Sequence, residues 1–142
     1  MSNELVRRGQ IAELKQAIME LPDALSDFTE QTFHHFAHGV YGREFWMPQG
    51  QVVIGKIHRY PCINIFVKGK VVVTSSTDDV PPGTIIEPGN VWVSKPGTQR
   101  AVYALEDSIW FTAHPNPDNG EDLVAIEEHL ILKDFEALEQ QT

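Results

Sequence analysis

His58 and Cys62 are two good metal-ligand types, and only Arg59-Tyr60-Pro61 separates them. They bracket a turn between two β-like runs, Gln51 to His58 and Cys62 to Val67. His114, at the end of a later strand, would complete a three-ligand set with an open position, the arrangement that metal catalysis requires. The ion for such a set is a divalent transition metal: zinc, iron, manganese or nickel. The plainer account of the same residues is a buried structural thiol beside a hydrogen-bonded imidazole.

The strands that carry these groups decide what else can join them. Side chains alternate across a strand, so Cys62, Asn64 and Phe66 share one face and Ile63, Ile65 and Val67 the other. The mixed face suits a ligand basin if the sheet curls. The apolar face then needs cover from a helix or a second subunit. Lys56 and His58 share a face on the preceding run, as do Trp110, Thr112 and His114 on the last, so three strands can bring Lys56, His58, Cys62 and His114 toward one cavity. A second histidine group, His34, His35 and His38, lies in Phe33 to His38. On a strand or a helix His34 and His38 align, but neither conformation turns all three to one ion.

The pattern is β from Gly39 onward: Tyr41 to Met47, Gln51 to His58, Cys62 to Val67, Lys70 to Ser75, Thr84 to Glu87, Val91 to Ser94, Arg100 to Leu105 and Ser108 to Ala113. Pro48, Lys68-Gly69, Pro88-Gly89-Asn90 and Lys95-Pro96-Gly97 punctuate them. Short strands at this spacing predict an antiparallel sandwich or barrel. Leu5, Ile11, Leu14, Ile18 and Leu21 predict an amphipathic helix from about Glu4 to Glu20, stopped by Pro22, after which Asp23 to Gln31 is a polar connection. Leu123, Ile126, Leu130, Phe135 and Leu138 predict a second, broken near Leu132-Lys133. The expectation is a single domain over 1–142: N-terminal helix and connection in 1–32, barrel in 33–116, acidic C-terminal helix in 117–142.

The 142 residues can bury a core without staples, and one cysteine excludes an intrachain disulfide. After Asn116, eight acids oppose only Lys133, so that segment carries −7 of the net −9. That charge argues against nonspecific nucleic-acid or anionic-membrane binding. No apolar run is long enough to span a bilayer and no cleavable leader is evident, which places the chain in a reducing, cytoplasm-like compartment. Asp78-Asp79 and Glu127-Glu128 read as solvated acids in turn and helix contexts.

Lys56-x-His58, then Cys62, then Gly69, with Pro96-Gly97-Thr98-Gln99-Arg100 later, resembles the two motifs of the cupin superfamily, small jelly-roll barrels. The turn-forming glycines and prolines match. Of the four usual ligand positions only His58 is kept, the others being Lys56, Cys62 and Arg100. The resemblance therefore implies a modified basin, in which the cations Lys56 and Arg100 disfavour a divalent ion and favour an anion. The span from about Phe33 to His114 also looks like small cupin-like proteins common in phage genomes, on Tyr41-Gly42-Arg43-Glu44, Gly55-Lys56-Ile57-His58, Lys95 to Arg100 and Trp110 to His114.

Three expectations follow. The first is binding of a small anionic ligand by Lys56, His58, Arg100 and Asn64, with Tyr41, Trp46 or Trp110 as an apolar wall. The second is a structural or assembly role as a homo-oligomer, dimer or larger, in the host cytoplasm or associated with the virion if phage-encoded. The alternative to both is a metal-dependent enzyme using His58, Cys62 and His114.

Overall fold

A computed structural model describes residues 3–21, 28–132 and 134. The chain runs α1 (Asn3–Met19), a short 3-10 turn (Thr29–Gln31), β1 (Thr32–Ala37), β2 (Val40–Met47), β3 (Val52–Ile54), β4 (Ile57–His58), β5 (Cys62–Lys68), β6 (Val71–Ser75), β7 (Thr84–Ile86), β8 (Val91–Ser94), β9 (Arg100–Ala104), β10 (Ser108–Pro115), α2 (Leu123–Leu130) and β11 (Ile131–Leu132). The extension of the second helix through Phe135 and Leu138 lies outside the described residues, as does most of the connection after Leu21.

One sheet has the order β1-β2-β10-β5-β8 and the other β3-β9-β6-β7, every pairing antiparallel. The chain changes sheet between β2 and β3, β5 and β6, β7 and β8, and β9 and β10. Those crossings make two interleaved Greek keys, a jelly roll. Phe45, Met47, Phe66, Val71, Val73 and Trp110 fill one end of the space between the sheets. The other end is polar.

The predicted run Gln51 to His58 is two strands. Gly55 donates its N–H to the Arg100 carbonyl at 2.9 Å, ending the β3–β9 ladder, and β4 pairs instead with β11. This break moves Lys56 off the face of His58. Gly69 turns the chain from β5 to β6 at φ +92, and a Cβ there would collide with Ser108 Oγ and the Asp107 carbonyl. Gly69→Ala is expected to cost more than about 1 kcal/mol in urea unfolding; an unchanged midpoint would contradict this placement.

α1 forms where its spacing predicts, but of its apolar stripe only Ile11 is buried, while Leu5, Leu14 and Leu21 stay exposed. Its buried anchor is Arg7, which donates from Nε to the Ser75 carbonyl at 2.9 Å and pairs with Asp78 at 2.5 Å. α2 starts at Asp122, whose carboxylate accepts from the N–H groups of Val124 and Ala125. Its Ile126 and Leu130 pack on Tyr41, closing the polar end of the barrel. No helix among the described residues is long and apolar enough to cross a membrane.

Candidate functional site

The polar end is built by strand alternation. Cys62 and Asn64 of β5, Thr112 and His114 of β10, Tyr41 of β2 and Ser94 of β8 are all inward and buried. His58 enters from β4, gripped by the Pro96-Gly97 turn: its N–H donates to the Thr98 carbonyl at 2.9 Å and its carbonyl accepts from Gly97 at 2.8 Å. Its Nδ1 lies 3.5 Å from Cys62 Sγ. The His58 and His114 rings meet edge to face at 5.8 Å, and His114 stacks on Tyr41 at 5.8 Å. Tyr41 hydroxyl in turn bonds His34 Nδ1 at 2.6 Å. A string of polar rings thus runs from half-exposed His34 to His58.

Both inner histidines are neutral near pH 7. Burial, then the charges of Arg100, His114 and Arg43, push His58 down to about 3. Burial and the Arg43 charge push His114 down to about 4. Burial raises the Cys62 thiol, so the sulfur is protonated and a poor nucleophile.

Two sequence-predicted cations have other partners. Lys56 is exposed and ion-paired with Glu127 of α2. Arg100 is buried deeper, paired with Asp79 at 2.5 Å, bonded to Ser94 Oγ, and set beside the Trp92 and Trp110 rings at 5.8 and 5.4 Å. Asn64 bridges the same network, donating to Ser94 Oγ at 2.6 Å and accepting from Trp110 Nε1 at 3.1 Å. Trp110 is therefore an inner wall with its one donor already used. Asp79, expected to be solvated, is buried instead: Trp92 Nε1 donates to it at 3.0 Å, and Thr77 hydroxyl at 3.2 Å. Burial acts to raise its pKa, but the Arg100 charge and hydrogen bonds from Ser75, Arg100 and Trp92 outweigh it and hold the carboxyl below the usual range.

The residue that sequence reasoning passed over is Arg43. It alternates with buried Tyr41 and Phe45, so it faces inward, opposite Thr112 on β10 and His34 on β1. Its guanidinium carbon sits 4.9 Å from the Phe45 ring centroid, and its charge acts on His34, Tyr41, His58 and His114. It has no ion pair or hydrogen bond among the described residues, unlike Arg100. The signal was available: Arg43 stands two residues from Tyr41 on a predicted strand.

The histidine-rich segment is divided by β1. His34 faces Tyr41, His35 faces outward to Glu44 at 3.0 Å, and His38 lies in the turn beyond the strand. Among the described residues no group of three or more His, Cys, Asp or Glu side chains is arranged to hold a metal ion.

No protein-family model and no curated protein sequence matches the chain. Solved structures do. Oxalate decarboxylase from Lactobacillus farciminis, in its formate complex, is similar at 17% identity and TM-score 0.52 over 72% of this chain and 31% of its own. A protein of unknown function from Vibrio parahaemolyticus is similar at 15% identity and TM-score 0.51, over 63% and 93%. An RmlC-like cupin family protein with a double-stranded β-helix fold, from Methanocaldococcus jannaschii, is similar at 13% identity and TM-score 0.47, over 70% and 90%. The first two of these, each above a TM-score of 0.5, agree with the jelly-roll strand order on the architecture. The chain has the cupin fold.

Cupin metal positions can then be tested against this barrel. Lys56 and Arg100, at two of the four positions, are occupied by Glu127 and Asp79, so the usual four-ligand set does not fit. His58 and Cys62 are the two that still face each other.

Proposed function

We propose that the polar end of this cupin barrel binds a small anion, a carboxylate or phosphate, with Arg43 as its principal cationic contact. The observation that carries this reading is an inward guanidinium without a carboxylate partner among the described residues, beside hydroxyl and imidazole donors of Tyr41, Thr112, His34 and His114. A guanidinium in a partly dry pocket presents a fork of donors that matches carboxylate and phosphate geometry. The neutral histidines add hydrogen bonds without adding charge. Arg100, cancelled by Asp79, orders the wall through Ser94 and Asn64. Lys56 ties α2 across the mouth.

The test is a thermal-shift series with acetate, citrate, phosphate and a nucleoside monophosphate. At least one of them should stabilise the wild type with increasing concentration. Arg43→Met should weaken that ligand about 10- to 100-fold, the loss of a charged hydrogen bond worth about 1.5–3 kcal/mol. Arg43→Lys should keep part of the effect and Lys56→Ala all of it. Equal stabilisation of wild type and Arg43→Met defeats the reading.

A second reading rests on the His58–Cys62 pair. Their 3.5 Å separation is close to the roughly 3.6 Å that a tetrahedral zinc imposes on a nitrogen and a sulfur ligand. His114 would be the third donor. The charges of Arg43 and Arg100, both felt at His58, weigh against a dication there. Metal content measured on untagged protein separates the two: stoichiometric zinc that is lost in Cys62→Ser would favour this second reading.

A further inference from the structure

We infer that the outer face of the five-stranded sheet is a self-association surface, on which a second copy of this chain seats face to face about a two-fold axis. Outward positions on β1, β2, β10, β5 and β8 are nearly all apolar, and seven of them are conspicuously exposed: Phe33 48%, Val40 41%, Trp46 44%, Ile63 46%, Val67 50%, Val91 62% and Val93 60%. Isolated exposed apolar residues are ordinary, but a contiguous face of them marks an interaction surface.

Charge selects the occupant. The ionisable groups at these outward positions are His35 and Glu44, which bond each other at 3.0 Å with Trp46 Nε1 donating to the same carboxylate, and Lys68, opposite Ile109 at the end of β5. Apart from the Glu44 carboxylate and the Lys68 ammonium the face is uncharged, so it offers a strongly charged partner little to meet. The chain has net charge −9, with −7 of it after Asn116. A net charge of this size makes two copies repel, and this surface, with one acid and one base among its apolar side chains, is where they meet with the least like charge opposed.

Shape agrees with a two-fold. At one end of the face a groove of about 280 Å³ is lined by Pro61 to Ile63, Ala113 to Pro115, Val40 and Val93. At the opposite end Phe33 and Trp46, in edge contact at 5.9 Å, form an aromatic knob. Midway between them the Phe111 ring lies over Gly42, where a Cβ would collide with it. Antiparallel stacking of two such faces puts each knob into the partner's groove, the reciprocal contact of an isologous dimer. Buried aromatics of this kind dominate interface energetics.

Sedimentation equilibrium of the full chain at micromolar concentration tests it. The wild type should have about twice the 16.0 kDa chain mass, and Trp46→Glu and Val93→Glu should each raise the dimer dissociation constant at least 100-fold. Ile85→Glu, equally exposed at 54% but on the other sheet, should leave the dimer intact. Circular dichroism and thermal melts confirm that each variant is folded. A second readout is reciprocal cross-linking: Trp46→Cys with Val93→Cys in one chain should oxidise to a covalent dimer, while Ile85→Cys should not. A monomeric wild type, or a dimer that survives both face variants or is broken by Ile85→Glu, overturns the inference.

Discussion

Asp79→Ala should destabilise the barrel by about 3–5 kcal/mol, because it leaves the Arg100 guanidinium charged and unpaired inside. Both side chains are nearly inaccessible, 7% and 2% exposed for Arg100 and Asp79. The surroundings offer Arg100 little else: Ser94 Oγ is one partner, two indole rings lie alongside, and its Nε has no hydrogen-bond partner even in the intact site. Chemical denaturation should show the loss as a lowered midpoint with an unchanged slope. Replacing both partners, as Asp79→Leu with Arg100→Met, should recover most of the stability, since the expensive state is the lone charge rather than the missing pair. Asp79→Ala within about 1 kcal/mol of wild type would show that the pair is solvated. It would also return Arg100 to the set of cations available for a ligand.

The second large effect is on pH. His58 and His114 take up protons in the folded chain only near pH 3 and 4, whereas in the unfolded chain they do so near 6.5. Below pH 6.5 the unfolded state therefore binds more protons than the folded one. Stability is fully present above 6.5 and is lost as pH falls toward 4, with a limiting slope of about 1.4 kcal/mol per pH unit for each histidine. Asp79, held below its ordinary range, adds a further loss in the acid region beneath its unfolded pKa. Urea unfolding between pH 7 and 5 should show the decline, and His58→Asn with His114→Asn should flatten it. Equal stability at pH 7 and pH 5 in the wild type would mean that the two imidazoles are not buried as described.

The strands were legible because glycine and proline mark their ends and because alternation is local. Cys62, Asn64 and Phe66 do face inward, at 2%, 0% and 1% exposure, and Ile63 and Val67 face out. The same rule misplaced Lys56, since the predicted strand breaks at Gly55, where the chain leaves β9 to pair with β11. Nothing in the local pattern announces that exchange of partners. The pairing of Arg100 with Asp79 was hidden for a similar reason: it joins residues 21 apart through a turn that reads as solvated. Arg43 was readable from its spacing to Tyr41, but it was the cupin-like positions that drew attention, and those hold the two cations already neutralised. His34, His35 and His38 separate onto two faces and a turn once β1 is known to be a strand.

The anion site at Arg43 is the central claim, and a crystal structure grown with the anion that stabilises the protein most tests it directly. Anion density should lie within about 3 Å of the Arg43 guanidinium, with Tyr41, Thr112 or His114 as a second contact and Arg100 still on Asp79. Density bound at Lys56 or on the outer surface, with the space before Arg43 holding only water, would contradict the account.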